Sequence, residues 1–564
     1  MDTKKIERVD SIPLLYSWLS RMGIAELIDS LWQSNQNWQG LSYGKLAVLF
    51  LIYVISSRNH RLSGLEEWVV SHQQVLQAVT GWEIREKEGT DDRIGHLLSE
   101  LGGDEEKRLR YQRLAGAHFI QAYELPTEVA RYDTTSVNVH HGSAPEEGVL
   151  SFGYSKDHRP DLLQFKQSLG TLDPNGVPLL TQTLKGNNAD DPLYLPAWQE
   201  MSQIIGHTSF LFVGDSKGSS LATRSGISVG GGSYLFPAPQ TGEMPQLLSD
   251  WVTQVDPKQL EPISAPDKRG NIQTVGQGFS VVRAITDEET DYTWQEQCFV
   301  IQSFAMADKQ QRSLQRRIDQ AESKLRALKA KSQETEAQFE QRANQIIKQH
   351  RVSQFLSCSS SETYTLEKKF IGRGRPGPNR PYRFISARHL HLSVNKHQPN
   401  IDHALTLCGW RIYLSNRLPK QLSVQQASHF YRGQWTNEHG YHRFKKGALP
   451  VLPLFIRIPD RIIGLMFLLM IALQALTLLD FVAQKELADR GGSIKGLVPG
   501  NPTISTARPS AERMLDQFQN LHLLIFQDGS FKLLELLSDL QLLILDILGL
   551  SPDIYRNLIY FVPP

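Results

Sequence analysis

The chain is 564 residues long, carries a formal net charge of +1 and is 40% hydrophobic. A chain of this length has room for about three or four domains and a large core, so it needs no disulfides to fold. The near-zero net charge argues against a protein that coats nucleic acid over its whole surface, although it allows a local basic patch. The three widely spaced cysteines, Cys298, Cys358 and Cys408, form no CxxC pair, which argues against a disulfide framework or a zinc site and favours a reducing cytoplasm.

The amino-terminal part has helical periodicity and no convincing strand pattern, and its first residues do not have the apolar run of an export signal. We therefore predict a helical domain over residues 1–125. Two roles remain open for it, recognition of DNA ends and packing or oligomerisation, because no helix-turn-helix signature is distinct.

A period of two begins after Pro126, where β-branched residues predict a strand that carries Asp133. Further strands are predicted near residues 150–154 and 178–184, then a helix over 194–205 and a short strand over 209–213 that ends before Asp215. This order is typical of a mixed α/β domain, in which ligands gather at strand ends. We predict that residues 126–224 form the first part of a catalytic core.

Residues 225–409 differ in character and are predicted to be an insertion. They contain β-prone pieces, one long charged helix from residue 308 to about 351, and a basic loop rich in Gly and Pro over residues 368–384. The helix has an apolar stripe that predicts a coiled coil or a helix that folds back on a partner. The loop suits contact with phosphates, through residues such as Arg373 and Arg375, or it is a solvated linker.

The second part of the core is predicted over residues 410–490, and a helical segment over 491–564. Residues 462–479 are apolar with a single Gln, which is close to the lower limit for a membrane span, but they lack aromatic anchors. A buried core helix is the favoured interpretation, and a membrane-anchored protein is the alternative.

One acid stands out in a basic region. Residues 368–446 contain fifteen Lys and Arg but only two acids, Asp402 and Glu438. On a single helix, Tyr431, Trp435, Glu438, His442 and Lys445 would line one side. Glu438 is then either a member of a structural ion pair or a metal ligand that faces a polyanion.

Three acids could act together. Magnesium and manganese prefer hard oxygen ligands, and two such ions can clamp the attacking and leaving oxygens in phosphodiester chemistry. Asp133 within a strand is the informative residue, because Asp is depleted in strands and a central one needs a partner. Asp215 and Glu438 would complete the set.

The motifs resemble those of DDE transposases of insertion sequences, which have an RNase H-like mixed-sheet core, and specifically the insertion sequence four superfamily. The matching segments are YDTTSV around Asp133, FVGDSKG around Asp215, and the YREK signature: Tyr, two residues, Arg, three residues, Glu, six residues, Lys. Tyr431, Glu438 and Lys445 fall at the signature positions, and Gln434 occupies the place of the arginine. The long segment between Asp215 and Glu438 resembles the β-rich insertion of that superfamily.

The resemblance implies cut-and-paste DNA transposition: metal-dependent cleavage of the element's ends, followed by joining of the 3′-OH ends to target DNA. Asp133, Asp215 and Glu438 would be catalytic and would hold two Mg²⁺ or Mn²⁺. Residues expected to contact DNA are Tyr431, Arg432, Trp435, Arg443, Lys445, Lys156, Arg159, Arg373 and Arg375.

Several points stay open at this stage. Arg432 or Arg443 takes over the phosphate contact of the missing arginine, or that contact is reduced. Trp435 either stacks on a displaced base or is a core tryptophan. The resemblance implies a homodimer on duplex DNA in a prokaryotic cytoplasm, at the nucleoid. The alternative function is a transposase-derived DNA-binding protein that has lost catalysis.

Overall fold

The computed structural model describes residues 3–143, 148–154, 159–267, 270–375 and 377–558. It is a mixed α/β structure. The helices are α1 Ile12–Arg21, α2 Ile24–Leu31, α3 Tyr43–Ser57, α4 Leu65–Ser71, α5 Gln73–Thr80, α6 Asp91–Gly103, α7 Glu105–Tyr123, α8 Tyr194–Ile205, α9 Leu221–Val229, α10 Met244–Gln254, α11 Phe304–Arg326, α12 Glu336–Gln349, α13 Gln398–Thr406, α14 Val424–Arg432, α15 Trp435–Lys445, α16 Pro459–Asp489, α17 Ala511–Asp516, α18 Asp539–Ile547 and α19 Asp553–Arg556. The strands are β1 Thr3–Arg8, β2 Val129–Val139, β3 Leu163–Leu172, β4 Val177–Leu180, β5 Thr183–Lys185, β6 Leu211–Val213, β7 Ser233–Pro237, β8 Glu261–Pro266, β9 Ile272–Asp287, β10 Tyr292–Ser303, β11 Leu356–Phe370, β12 Tyr382–Lys396, β13 Trp410–Ser415, β14 Ile494–Lys495, β15 Ser505–Thr506, β16 His522–Phe526 and β17 Phe531–Leu533.

One large mixed sheet organises the molecule. Its strand order is β4-β3-β2-β6-β7-β13-β10-β9-β8, and β5 pairs with β3. β2 is antiparallel to β3 but parallel to β6, which is in turn parallel to β7. Beyond β7 each strand is antiparallel to its neighbour. The sheet therefore continues across residue 225, the predicted start of the insertion, and the domain boundaries stay predictions.

Strand β2, which carries Asp133, and helix α8 lie where the sequence predicts them. β2 is buried along its length except at Asp133 and Asn138, which are half-buried. β3 is not predicted by the sequence, because polar residues such as Lys166 and Gln167 interrupt its apolar pattern. They are satisfied inside the protein instead: the Lys166 ammonium pairs with Asp190 at 2.6 Å. The strand predicted at 150–154 is reduced to one bridge between Ser151 and Gln164.

The two ends of the chain are joined by a small sheet. β1 pairs antiparallel with β16, and β16 pairs with β17. The prediction of a purely helical amino-terminal part was therefore wrong at residues 3–8, and that of a helical carboxy-terminal segment was wrong at β14–β17. A strand whose partner lies more than 500 residues away leaves no local pattern to detect.

The predicted long helix is two helices. α11 ends at Arg326, and α12 begins after Thr335, whose side chain and that of Gln338 form a capping box. The predicted apolar stripe is the seam between them, since Leu314, Ile318 and other members pack against α12 in one core cluster. The alternative in which the helix folds back on a partner is confirmed.

Helix α16 lies inside the protein. Its length and mean hydropathy of 2.5 would allow a membrane span, but 94% of its most apolar 18-residue window is buried. It crosses α6 at two glycines. A Cβ at Gly102 would lie 1.7 Å from the Asp460 carbonyl oxygen, and one at Gly464 would lie 2.1 Å from the Leu98 carbonyl oxygen. This burial contradicts a membrane span through α16 and agrees with the core-helix interpretation.

The close crossing of α6 and α16 can be tested with neighbouring glycines. We expect Gly102→Ala to destabilise the protein by about 1–3 kcal/mol, because the added methyl group forces the two backbones apart. Gly103→Ala is the matched control, since its Cβ would have no neighbour closer than 3.9 Å. Urea denaturation monitored by fluorescence measures both; equal midpoints for the two variants would contradict the close approach.

Candidate active site

Two of the three predicted acids come from adjacent parallel strands. In the β2–β6 pairing Arg131 lies opposite Val213, so two residues further along Asp133 lies beside Asp215, just beyond the end of β6. Neighbouring strands are about 4.8 Å apart, which brings both carboxylates to one edge of the sheet. Both residues are half-buried, so they remain accessible to a ligand.

The third acid lies on a helix that is bonded to the strand carrying Asp133. Glu438 lies exposed in the first turn of α15. Burial raises the pKa of the Tyr431 phenol; Arg411 opposes this, and the negative charges of Asp215, Asp133 and Glu438 each raise it further. Tyr431 therefore lies within the electrostatic influence of all three carboxylates.

The three carboxylates do not form a closed metal site in the described structure. Within the described ranges, no three His, Cys, Asp or Glu side chains are close enough to form a ready-made metal site. The Glu438 carboxylate has no ion pair with any described residue, so the ion-pair interpretation of its isolation in a basic run was wrong. The donor set consists of carboxylate oxygens alone, which suits a hard divalent cation.

The single helix predicted over residues 431–446 is in fact two. α14 ends at Arg432 and α15 begins at Trp435, with Gly433 and Gln434 between them. Hydrogen bonds at the junction span three residues instead of four, for example from the Gln434 N–H to the Tyr431 carbonyl at 3.0 Å. Tyr431 therefore projects from the end of one helix and Glu438 from the start of the next.

Tyr194 holds Asp215 in place. Its hydroxyl donates a hydrogen bond of 2.5 Å to the Asp215 carboxylate. Burial, together with the charges of Asp215 and Asp133, raises the pKa of Tyr194 well above its usual value, so the phenol stays protonated as a donor. The Lys217 backbone N–H donates to the same oxygen at 2.8 Å. Nothing in the sequence around Tyr194 indicates this role.

Tyr441 and Asn437 fasten α15 to the sheet. The Tyr441 hydroxyl donates to the Asp133 carbonyl at 2.5 Å, and the Thr171 hydroxyl of β3 donates to the Asn437 amide oxygen at 2.5 Å. Both α15 residues are buried and flank Glu438 on the helix. Sequence reasoning missed them because their partners are backbone groups and a side chain on remote strands.

Arg131 braces the helix junction from the strand side. Its guanidinium pairs with both Asp173 oxygens at 2.5 and 2.6 Å and donates to the Phe430 carbonyl at 2.7 Å. A Cβ at Gly433 would lie 2.2 Å from Arg131 Nη2, so only glycine fits there. The neighbouring Gln434 amide is buried, and neither its nitrogen nor its oxygen has a hydrogen-bond partner among the described residues.

Arg443 does not contact DNA; that prediction was wrong. Its side chain is 2% exposed and lies 2.8 Å from both Asp480 and Glu512. Burial raises the pKa of Asp480 to about 6, although Arg443 opposes the shift. Burial also acts to raise the pKa of Glu512, but the Arg443 charge brings it below its usual value. Arg443 is thus a core residue that ties α15 to α16 and α17.

The other predicted DNA contacts are more accessible. Trp435 is 56% exposed, which rules out the core-tryptophan alternative. Arg432 is exposed, and Lys445 is half-buried at the end of α15. Arg159 is exposed but paired with Asp161 at 2.6 Å. Arg373 and Arg375 lie in the exposed turn between β11 and β12, and Lys156 lies outside the described residues.

Comparison with known proteins gives distant structural similarity. No protein-family profile and no curated protein matches the chain. A solved structure with partial similarity is a piggyBac transposase synaptic complex with hairpin DNA, at 12% identity and a TM-score of 0.25. The match covers 47% of this chain and 60% of that one, so it spans less than two thirds of the relative. A similarity of this degree assigns neither fold nor activity.

The structural role of Arg443 predicts a large stability effect. We expect Arg443→Gln to destabilise the protein by about 3–5 kcal/mol, because it leaves two acids buried without their cation. Arg432→Gln is the control: it removes an exposed charge from the neighbouring helix and should change stability by less than about 0.5 kcal/mol. Thermal and urea denaturation measure both, and equal stabilities would contradict the buried network.

Proposed function

We propose that the protein is a DNA transposase that cleaves the ends of an insertion sequence and joins the freed 3′-OH ends to target DNA. The observation that carries the proposal is the placement of Asp133 beside Asp215 at one edge of the sheet, with Glu438 on the helix whose Tyr441 hydroxyl donates to the Asp133 carbonyl. Metal-dependent phosphodiester chemistry needs such a set of carboxylates beside a surface that accepts DNA. Tyr431, Glu438 and Lys445 also keep the spacing of the YREK signature.

The order of the core strands supports an RNase H-like core. The first five strands after residue 126, apart from the short β5, lie in the order β4-β3-β2-β6-β7, with only β3 antiparallel to the rest. Asp133 lies on the central strand and Asp215 follows its parallel neighbour. α15 packs across β2 and presents the third acid.

The chemistry of the three carboxylate donors suits a divalent cation. Asp133, Asp215 and Glu438 would hold Mg²⁺ or Mn²⁺, in two ions per site, and the bound metal would neutralise phosphate charge and favour an ionised water. Tyr194 orients Asp215 for this role. Arg411, whose charge reaches the Tyr431 phenol, and Lys445 would bind phosphates that flank the cleaved bond.

The exposed Trp435 would stack on a base displaced near the cut. Because an insertion sequence has two ends, the proposal includes a homodimer on duplex DNA. It also includes action in the prokaryotic cytoplasm at the nucleoid.

A second candidate function is that of a DNA-binding protein that has lost catalysis. The Gln434 amide, which has no partner among the described residues and stands at the signature's arginine position, is the observation that favours it.

Replacing the acids separates the two candidates. We expect Asp133→Asn and Glu438→Gln to reduce nicking of end-bearing duplex DNA in Mg²⁺ by at least about 10³-fold, because each removes a charged metal ligand. Affinity for the same DNA, measured by fluorescence anisotropy in Ca²⁺, should be unchanged. Absence of nicking in the wild-type protein would support the inactive candidate, and undiminished nicking in the variants would contradict the site.

Tyr194→Phe tests how Asp215 is positioned. Loss of the hydroxyl should weaken the response to Mg²⁺ by about 10–100-fold, since partners that orient metal ligands have effects of that size. The measurement is the Mg²⁺ concentration for half-maximal nicking. Tyr111→Phe is the control, because the Tyr111 hydroxyl is also buried but has no partner in the described structure. A loss of stability with an unchanged Mg²⁺ response would contradict the positioning role.

A further inference from the structure

Strands β11 and β12 form a long two-stranded ribbon. They pair over fifteen residues, from Leu356 opposite Lys396 to Phe370 opposite Tyr382, and make no sheet with any other described strand. At about 3.3 Å per residue the ribbon is about 50 Å long. Only its base is anchored in a core, through Leu356, Cys358, Leu392 and Val394 against α11 and α12.

Charge is distributed unevenly along the ribbon. The cations near its base are paired: Arg388 lies 2.7 Å from Glu362, and Lys396 lies 2.6 Å from Glu322. The distal half contains six cations and one acid, Glu367. In the part of the chain that the structure describes, no acid pairs with the distal residues Lys369, Arg373, Arg375 and Arg383.

Two of these cations oppose each other. Lys369 and Arg383 are directly opposite in the antiparallel register, a placement that destabilises a strand pair. A two-stranded ribbon without a third strand is only marginally stable in water. The ribbon therefore contains a repulsive pair of cations that lowers its stability. A bound polyanion would neutralise both charges and so explain why the pair is present.

The other face of the distal half is aromatic and exposed. Phe370, Tyr382 and Phe384 are 41–57% exposed and form a continuous edge-to-face series. The Lys368 ammonium lies 4.5 Å from the centre of the Tyr382 ring on the same face. A surface of aromatic groups interleaved with cations suits nucleic acid, whose bases are apolar and whose backbone is anionic.

We propose that the distal half of this ribbon, residues 366–375 and 377–386, lies in the major groove of duplex DNA. The groove of B-form DNA admits a two-stranded β-ribbon, and long Lys and Arg side chains then reach the phosphates on both sides. The aromatic face would contact base edges and thymine methyl groups. The inference rests on the proposed function only in taking DNA as the substrate, and it adds a binding element outside the catalytic carboxylates.

Two variants test the ribbon. Lys369→Ser/Arg383→Ser removes the opposed cations, and Arg316→Ser/Lys324→Ser on α11 is a control that removes the same charge from exposed positions. Replacement of residues 367–385 by Asn-Gly shortens the ribbon with a turn that suits a hairpin. It leaves the paired Arg388–Glu362 and the anchored base intact. A melting temperature no lower than that of the wild-type protein establishes that each variant folds.

The readout is affinity for a duplex of about 30 base pairs as a function of salt. We expect the slope of log K against log salt to fall by about 2 in the double variant and by more in the shortened protein, with no change in the control. An RNA duplex of the same sequence has a deep, narrow major groove that a ribbon cannot enter, so its affinity should be much less affected. Equal losses on DNA and RNA would show contact with phosphates alone, and no loss on DNA would show that the ribbon does not bind it; either result overturns the proposal.

The result is independent of catalysis. Nicking by the wild-type protein and by the shortened protein is measured on the same end-bearing DNA. If the wild-type protein does not nick but the ribbon variants bind duplex more weakly, the proposed function fails and the ribbon inference stands. If the wild-type protein nicks and the variants bind normally, the ribbon inference fails alone.

Discussion

The parallel pairing of β2 with β6 is the constraint on which the candidate site depends. It places Asp133 beside Asp215, because the backbone register sets the positions of both residues. A shift of one residue would turn Asp133 to the opposite face of the sheet. The buried residues around it, including Tyr132 and Thr134, make that shift costly and so fix the register.

The third acid has no such backbone pairing and is positioned by side chains. Tyr441 and Asn437 hold α15 against β2 and β3, and Arg443 holds its other side against α16 and α17. Removing charges from water is expensive, so a buried cation between two acids is not an efficient source of stability. The ion pairs of Arg443 instead restrict the helix that carries Glu438 to one orientation.

The sequence predicts the parts of the site that depend on local pattern. β2 is recognisable from its β-branched residues, and Glu438 is recognisable because it is nearly the only acid in a long basic run. The sequence does not predict the parts that depend on remote partners. Tyr194 and Tyr441 look like ordinary core tyrosines, and β3 does not look like a buried strand because the groups that satisfy Lys166 and Gln167 lie elsewhere in the chain.

The basic run also shows why charge counted along a sequence is not charge on a surface. Its cations separate into three environments in the folded protein. Arg443 is buried in the core, where it pairs with acids. Arg411 lies near Tyr431 and the candidate carboxylates. The residues around Lys369 and Arg383 lie on the exposed ribbon. The run therefore contributes to two separate surfaces. A polyanion long enough to bridge them, as a DNA duplex is, could engage both at once, and each would then raise the effective concentration of the DNA at the other.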